Sequence, residues 1–158
     1  AWANDQRIQQ LTGQPFTQAY RDHILGAANG RFDSGPATLA LTAVAQTAPD
    51  RELEALHALQ HARYVEGRDN ADPVVIADVL NSLGLQAAAA RLREPSDALR
   101  VALLERVAAA RVTMQLLGAQ GVPQLAVAGQ GGALRLVGGD ALLGPRDALL
   151  ARVQAAAV

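Results

Sequence analysis

The sequence predicts an α+β protein that is predominantly helical and closes with a β-hairpin followed by one more helix. Three observations carry this expectation. Apolar residues recur at helical spacing between capping residues as far as about residue 118. Two short β-compatible runs, 124–128 and 133–137, then flank Gly129-Gln130-Gly131-Gly132. Hydrophobic residues make up 50% of the chain but aromatic ones only 3%, so the core must be built from Ala, Leu and Val on closely packed helices.

Ile8 and Leu11, closed by Gly13, predict a short first helix capped by Asn4 or Asp5. Pro15 suits the first turn of a second, with Phe16, Tyr20, Ile24 and Ala27 at helical spacing before Asn29-Gly30. Turn residues from Arg31 to Pro36 read as a loop, and Ser34 is a cap candidate for an Ala-rich helix over 37–47, ended by Pro49. Residues 51–66 form an amphipathic run with Leu53, Leu56, Leu59 and Ala62 near one face and Gly67 beyond its end. Asp72-Pro73 is a capping carboxylate followed by proline at the first helical position, and it opens a stripe of Val75, Ile76, Val79, Leu80 and Leu83. Residues 86–93 read as a short Ala-rich turn. Ser96 then caps the longest helix, which carries Leu99, Leu103, Val107, Ala110 and Met114 and ends near Gly118. After the hairpin, Gly144-Pro145 opens a last helix with Leu149, Leu150 and Val153 on one side.

The 158 residues suit a single domain, and no linker divides them. The 14 basic and 15 acidic residues nearly cancel and are scattered, which removes the electrostatic footprint of a nucleic-acid binder. Charged or polar residues interrupt every apolar stretch before the roughly 18 residues of a membrane span, so no membrane partner is expected. The start, Ala1-Trp2-Ala3-Asn4-Asp5, has neither an initiating Met nor a basic-then-apolar leader and reads as trimmed or internal. A cytoplasmic location is expected. With no Cys, thiol catalysis and thiolate metal sites within these residues are excluded.

Three segments, in order, carry a resemblance: Leu11-Thr12-Gly13-Gln14-Pro15-Phe16, the stretch Leu59-Gln60-His61-Ala62-Arg63-Tyr64-Val65-Glu66-Gly67-Arg68-Asp69, and the turn Gly121-Val122-Pro123. Together they resemble a bacterial group of the DsbA family described as predicted protein-disulfide isomerases, thioredoxin-fold proteins with a helical insertion. The resemblance implies that 11–93 is largely that insertion, that 96–158 is the C-terminal half of the thioredoxin fold, and that 1–10 is a connecting helix. It further implies that Pro123 is cis, that Gly121, Val122, Pro123 and Gln124 form the substrate-binding edge, and that a Cys-x-x-Cys helix stands upstream of Ala1. The chain departs from the family in two ways. The reactive cysteines are absent, and Gln124 follows the turn proline where the family often has Thr.

Other residues weigh less. His57 and His61 are four apart, a spacing able to offer two imidazoles to one metal, and Glu54 lies three residues earlier. No third ligand is suitably spaced, so no metal is expected, and no cofactor. His23 reads as a locally bonded side chain beside an apolar stripe. Tyr64, Glu66, Arg68 and Asp69 could line a groove where their helix exits, although charges at a helix end usually form a solvated face. Trp2 and Phe32 read as core anchors.

These readings lead to a DsbA-family thiol–disulfide oxidoreductase or isomerase without its redox-active cysteine motif, acting on protein or peptide thiols and disulfides or on glutathione. Two alternatives stand beside it. One is a glutathione-linked enzyme like kappa-transferase or 2-hydroxychromene-2-carboxylate isomerase, in which serine replaces the first cysteine. The other is a non-catalytic helical interaction module. A two-stranded hairpin is marginal alone, so if these residues are the whole protein, 124–137 is expected either to pair with a second copy in a homodimer or to leave apolar sheet surface exposed.

Overall fold

The computed structural model describes residues 1–28, 30 and 32–158. Asn29 and Arg31, placed by the sequence at a helix stop and in the loop after it, lie outside the described residues. The chain divides into two compact units, residues 1–6 with 15–106 and residues 7–14 with 107–158.

Helix α1 (Trp2–Thr12) starts earlier than its cap candidates suggest. The Ala1 carbonyl accepts from the N–H groups of Asn4 and Asp5 at 2.9 and 3.1 Å, so both residues sit inside the first turn. Helix α2 (Gln18–Tyr20) begins after Pro15 and Phe16, because the backbone of Thr17 is committed elsewhere. The Thr17 N–H donates to the Tyr64 carbonyl (3.1 Å) and its hydroxyl to the Val65 carbonyl (2.6 Å), while the same hydroxyl oxygen caps the Tyr20 N–H at 3.3 Å. The helix continues as a wider π-turn, Arg21–Leu25, and ends at Gly26.

Helix α3 (Gly35–Thr47) follows Ser34, whose hydroxyl makes no capping bond. Asp33 Oδ1 takes that role for the Gly35 N–H at 2.8 Å, and Ser34 contributes its carbonyl to Thr38. A 3-10 turn, Pro49–Arg51, leads into α4 (Glu52–Tyr64), whose buried stripe is Ala55, Leu59, Ala62 and Arg63. Leu53 is 80% exposed. It precedes Ala55 by two residues, about 200° around a helix, and so misses the stripe on which it was placed. Helix α5 (Pro73–Ser82) opens as expected, with Asp72 Oδ1 accepting from the Val74 N–H at 2.8 Å and Ile76, Val79 and Leu80 buried.

Residues 86–93, read as a turn, form helix α6 (Gln86–Arg93). Alanine is the strongest helix former, and Ala88, Ala89 and Leu92 are buried as α6 packs on α3 and α5. Ser96 Oγ accepts from the Leu99 N–H (3.2 Å) at the start of α7 (Asp97–Leu116). The core of this first unit centres on Ala43, Val44, Leu59, Ile76, Leu80 and Leu99. The small alanines let the helices approach closely.

In the second unit β1 (Leu125–Ala128) pairs antiparallel with β2 (Leu134–Val137), with Leu125 opposite Val137 and Ala128 opposite Leu134. A one-turn helix absent from the sequence reading, α8 (Gly139–Leu142), precedes α9 (Arg146–Ala157). Helix α9 packs on both strands, and the Ala157 carbonyl accepts from the Gln130 N–H in the hairpin turn at 3.1 Å.

Candidate functional site

The four consecutive residues singled out by the sequence, Gly121 to Gln124, form the loop that carries the chain from α7 into β1. Helix α7 closes where Gly118 takes φ +63°, and the Ala119 N–H returns to the Met114 carbonyl at 2.8 Å. Gly121 again takes a positive φ, +77°, open to glycine at no steric cost. The Val122–Pro123 peptide bond is cis. Gln124 Nε2 donates across the loop to the Gln120 carbonyl at 3.1 Å, so the residue that departs from the family pattern ties the loop together. Gly139, at the start of α8, lies close to the Pro123 carbonyl and the Gln124 amide.

Val122 is 81% exposed, and among the described residues neither its N–H nor its carbonyl has a hydrogen-bond partner. Beneath the loop a pocket of about 260 Å³ separates the second half of α7 from the Ala126/Leu136 face of the hairpin, with Thr113, Met114 and Gln124 in its wall. No nucleophile, acid or base stands on this loop. It can offer a backbone edge to an extended chain or a peptide-like ligand, and it cannot itself exchange sulfur.

Comparison with solved structures decides the family. The cytosolic disulfide reductase DsbM from Pseudomonas aeruginosa is 34% identical, with a TM-score of 0.78 over 97% of this chain and 74% of that one. The chain belongs to the DsbA-like thioredoxin-fold family. Its fold is therefore thioredoxin-like, with the small antiparallel sheet accompanied by many helices. A structure of DsbM with GSH matches at 33% identity and a TM-score of 0.76, covering 96% of this chain and 73% of that one. A protein from Nitrosomonas europaea described as a candidate protein disulfide isomerase shares the fold at 24% identity, with a TM-score of 0.69 over 93% and 67% of the two chains. No family profile and no curated protein matches.

Elsewhere in this DsbA-like chain, Tyr64 at the end of α4 lines a pocket of about 230 Å³ with Phe32, Ser34, Arg63 and Asn70, whereas Glu66, Arg68 and Asp69 beyond it are held in ion pairs. The Glu66 carboxylate meets His61 Nδ1 at 3.1 Å and Arg68 at 3.5 Å, and Arg68 also reaches Asp78 at 3.6 Å. Asp69 Oδ1 accepts from the Ala71 N–H (2.9 Å) and pairs with Arg63 (3.5 Å). Arg63, named in the sequence only as part of the family-like stretch, is a charged side chain only 6% exposed, which donates to Asn70 Oδ1 at 3.0 Å and lies 5.2 Å from the Phe32 ring. Phe32 is not a core anchor, being 71% exposed. His57 and His61 stand with ring centroids 6.5 Å apart, and among the described residues no three potential ligands gather around a common point.

Tyr64 joins an aromatic cluster, 5.2 Å from Phe16 and 5.1 Å from Tyr20, and Trp2 lies 6.4 Å from Tyr20. Burial, with Asp5 accepting the Tyr20 hydroxyl at 3.3 Å, pushes the Tyr20 phenol up from 10.0 to about 12. Below pH 10 both folded and unfolded states hold the proton. Between pH 10 and 12 only the folded state does, so the stabilisation, on the order of 2 kcal/mol, drains away as pH rises. Tyr20→Phe should show a shallower loss across that window in denaturant unfolding, and equal slopes would refute the assignment.

Proposed function

We propose that this chain serves thiol–disulfide exchange as the part that receives the substrate, with residues 121–124 as the edge on which a peptide thiol, a disulfide or glutathione lies. The observation that carries this reading is the exposed, unpartnered backbone of Val122. An extended ligand can pair with its N–H and carbonyl as a strand pairs with a sheet edge. Family membership supports the chemistry, since the DsbM relative is a disulfide reductase and a structure of it was determined with GSH. In this reading 11–93 is the helical insertion, 96–158 the second half of the thioredoxin fold and 1–10 the connecting helix. The sulfur nucleophile comes from outside these 158 residues, which contain no Cys. The cytoplasm is the proposed compartment, supported by the cytosolic relative.

A second reading has one observation in its favour. A chain without Cys also suits a glutathione-linked transferase or isomerase in which a hydroxyl holds the glutathione sulfur.

The test is a titration of the isotopically labelled chain with GSH and, separately, with a short thiol peptide. Amide resonances of Gly121, Val122 and Gln124 should shift with both ligands. Gln124→Ala, which frees the loop from Gln120, should weaken binding about fivefold, the equivalent of about 1 kcal/mol for one hydrogen bond. Shifts with GSH alone favour the second reading, and no shift at 121–124 with either ligand overturns both.

A further inference from the structure

A separate cavity lies within the first unit, where α3, α5, α6 and α7 meet. Its volume is about 400 Å³, inside the range of small-molecule sites. The walls and floor are apolar, made by Leu39, Ile76, Leu92 and Leu103. Ile76 is fully buried, so the floor is the hydrophobic core itself. Pro36, Pro73 and Pro95 stand around the cavity, and Leu104, 68% exposed, lies at its edge.

Arg100 is the sole charged residue of the lining among the described residues. Its guanidinium has no ion-pair or hydrogen-bond partner there, although Asp97 is only three residues away on the same helix. An apolar cavity with one unpaired guanidinium beside it has the polarity of an amphiphilic monoanion turned inside out. Arginine's planar fork matches a carboxylate through two parallel hydrogen bonds, and its aliphatic stem can lie along apolar surface. The prolines matter in two ways. They fix the backbone, so little order is lost on binding. They also carry no N–H, so the main chain of a docked peptide would find few donors at this rim, which favours a small molecule over a peptide or a second copy of the chain.

We infer that this cavity binds a small apolar carboxylate, its hydrocarbon body against Leu39, Ile76, Leu92 and Leu103 and its carboxylate on Arg100. The site is independent of the loop at 121–124, and either can fail without the other.

Decanoate, decanol and acetate separate the contributions of body and charge. Calorimetric and methyl-resonance titrations below the micelle concentration should show saturable decanoate binding, with shifts at Leu39, Ile76, Leu92 and Leu103. Decanol should bind about tenfold more weakly and acetate not at all, as expected for one charge-assisted contact. Arg100→Gln, at an exposed position, should bring decanoate down to the level of decanol without changing the melting curve. Leu104→Trp, also at an exposed position, should crowd the entrance and weaken both ligands. Absence of saturable decanoate binding, or equal affinity for decanoate and decanol that is indifferent to Arg100→Gln, overturns the proposal. So does sedimentation showing a dimer that decanoate dissociates, since a second copy would then be what covers the cavity.

Discussion

Gly67→Ala is expected to destabilise the protein by about 3 kcal/mol or more, from two costs that add. Gly67 has φ +66°, where a side chain is strained by on the order of 1 kcal/mol. A Cβ there would also lie 2.5 Å from the Ala19 carbonyl oxygen, a backbone atom unable to swing aside. The close approach follows from the bonds that hold Thr17 to Tyr64 and Val65 and bring the start of α2 against the end of α4. Gly84→Ala separates the two costs. Gly84 has φ +74° but nothing within 4 Å of its Cβ position, so alanine there pays for conformation alone, about 1 kcal/mol. Urea unfolding of both variants measures the difference. Equal losses would mean that the contact with Ala19 yields easily.

Leu80→Ala should cost about 3 to 4 kcal/mol. Leu80 is fully buried in α5, in a core cluster rich in alanines, among them Ala43, Ala88 and Ala89, whose methyl groups have no spare length with which to fill a space left behind. A void that cannot collapse puts the loss toward the upper part of the range for leucine truncation. Leu53→Ala is the matched control. Its side chain is already in water, so a change within about 0.5 kcal/mol is expected. A small loss at Leu80 would show that the helices close over the cavity.

The same contrast explains how much was legible beforehand. Helices α5 and α7 announce themselves through Asp72-Pro73, Ser96 and widely spaced large apolar residues, signals that are local and survive folding unchanged. Helix α6 was missed because its buried side is two alanines and one leucine, and alanine contributes too little hydrophobicity to reveal a stripe. Leu53 was misplaced for the opposite reason: a large apolar residue drew attention to itself, while Ala55 defined the buried line. The start of α2 depends on Thr17 meeting residues 64 and 65, a long-range pairing that periodicity cannot show.

The candidate loop was legible because Gly121, Val122 and Pro123 are consecutive and carry a family resemblance. The hydrogen bond from Gln124 to Gln120 was not, since a side chain turning back on its own loop leaves no spacing pattern. The cavity beside Arg100 was equally hidden, because its lining comes from segments far apart in the chain.

The aromatic cluster of Trp2, Phe16, Tyr20 and Tyr64 has a practical consequence for anyone following this molecule in solution. No Phe, Tyr or Trp occurs after residue 64, so intrinsic fluorescence and near-ultraviolet dichroism observe the first compact unit and are blind to the hairpin. Far-ultraviolet dichroism, by contrast, averages over every helix. Monitoring both during one thermal ramp therefore compares the melting of one unit with that of the whole chain, and coincident transitions would mean that the two units unfold as one.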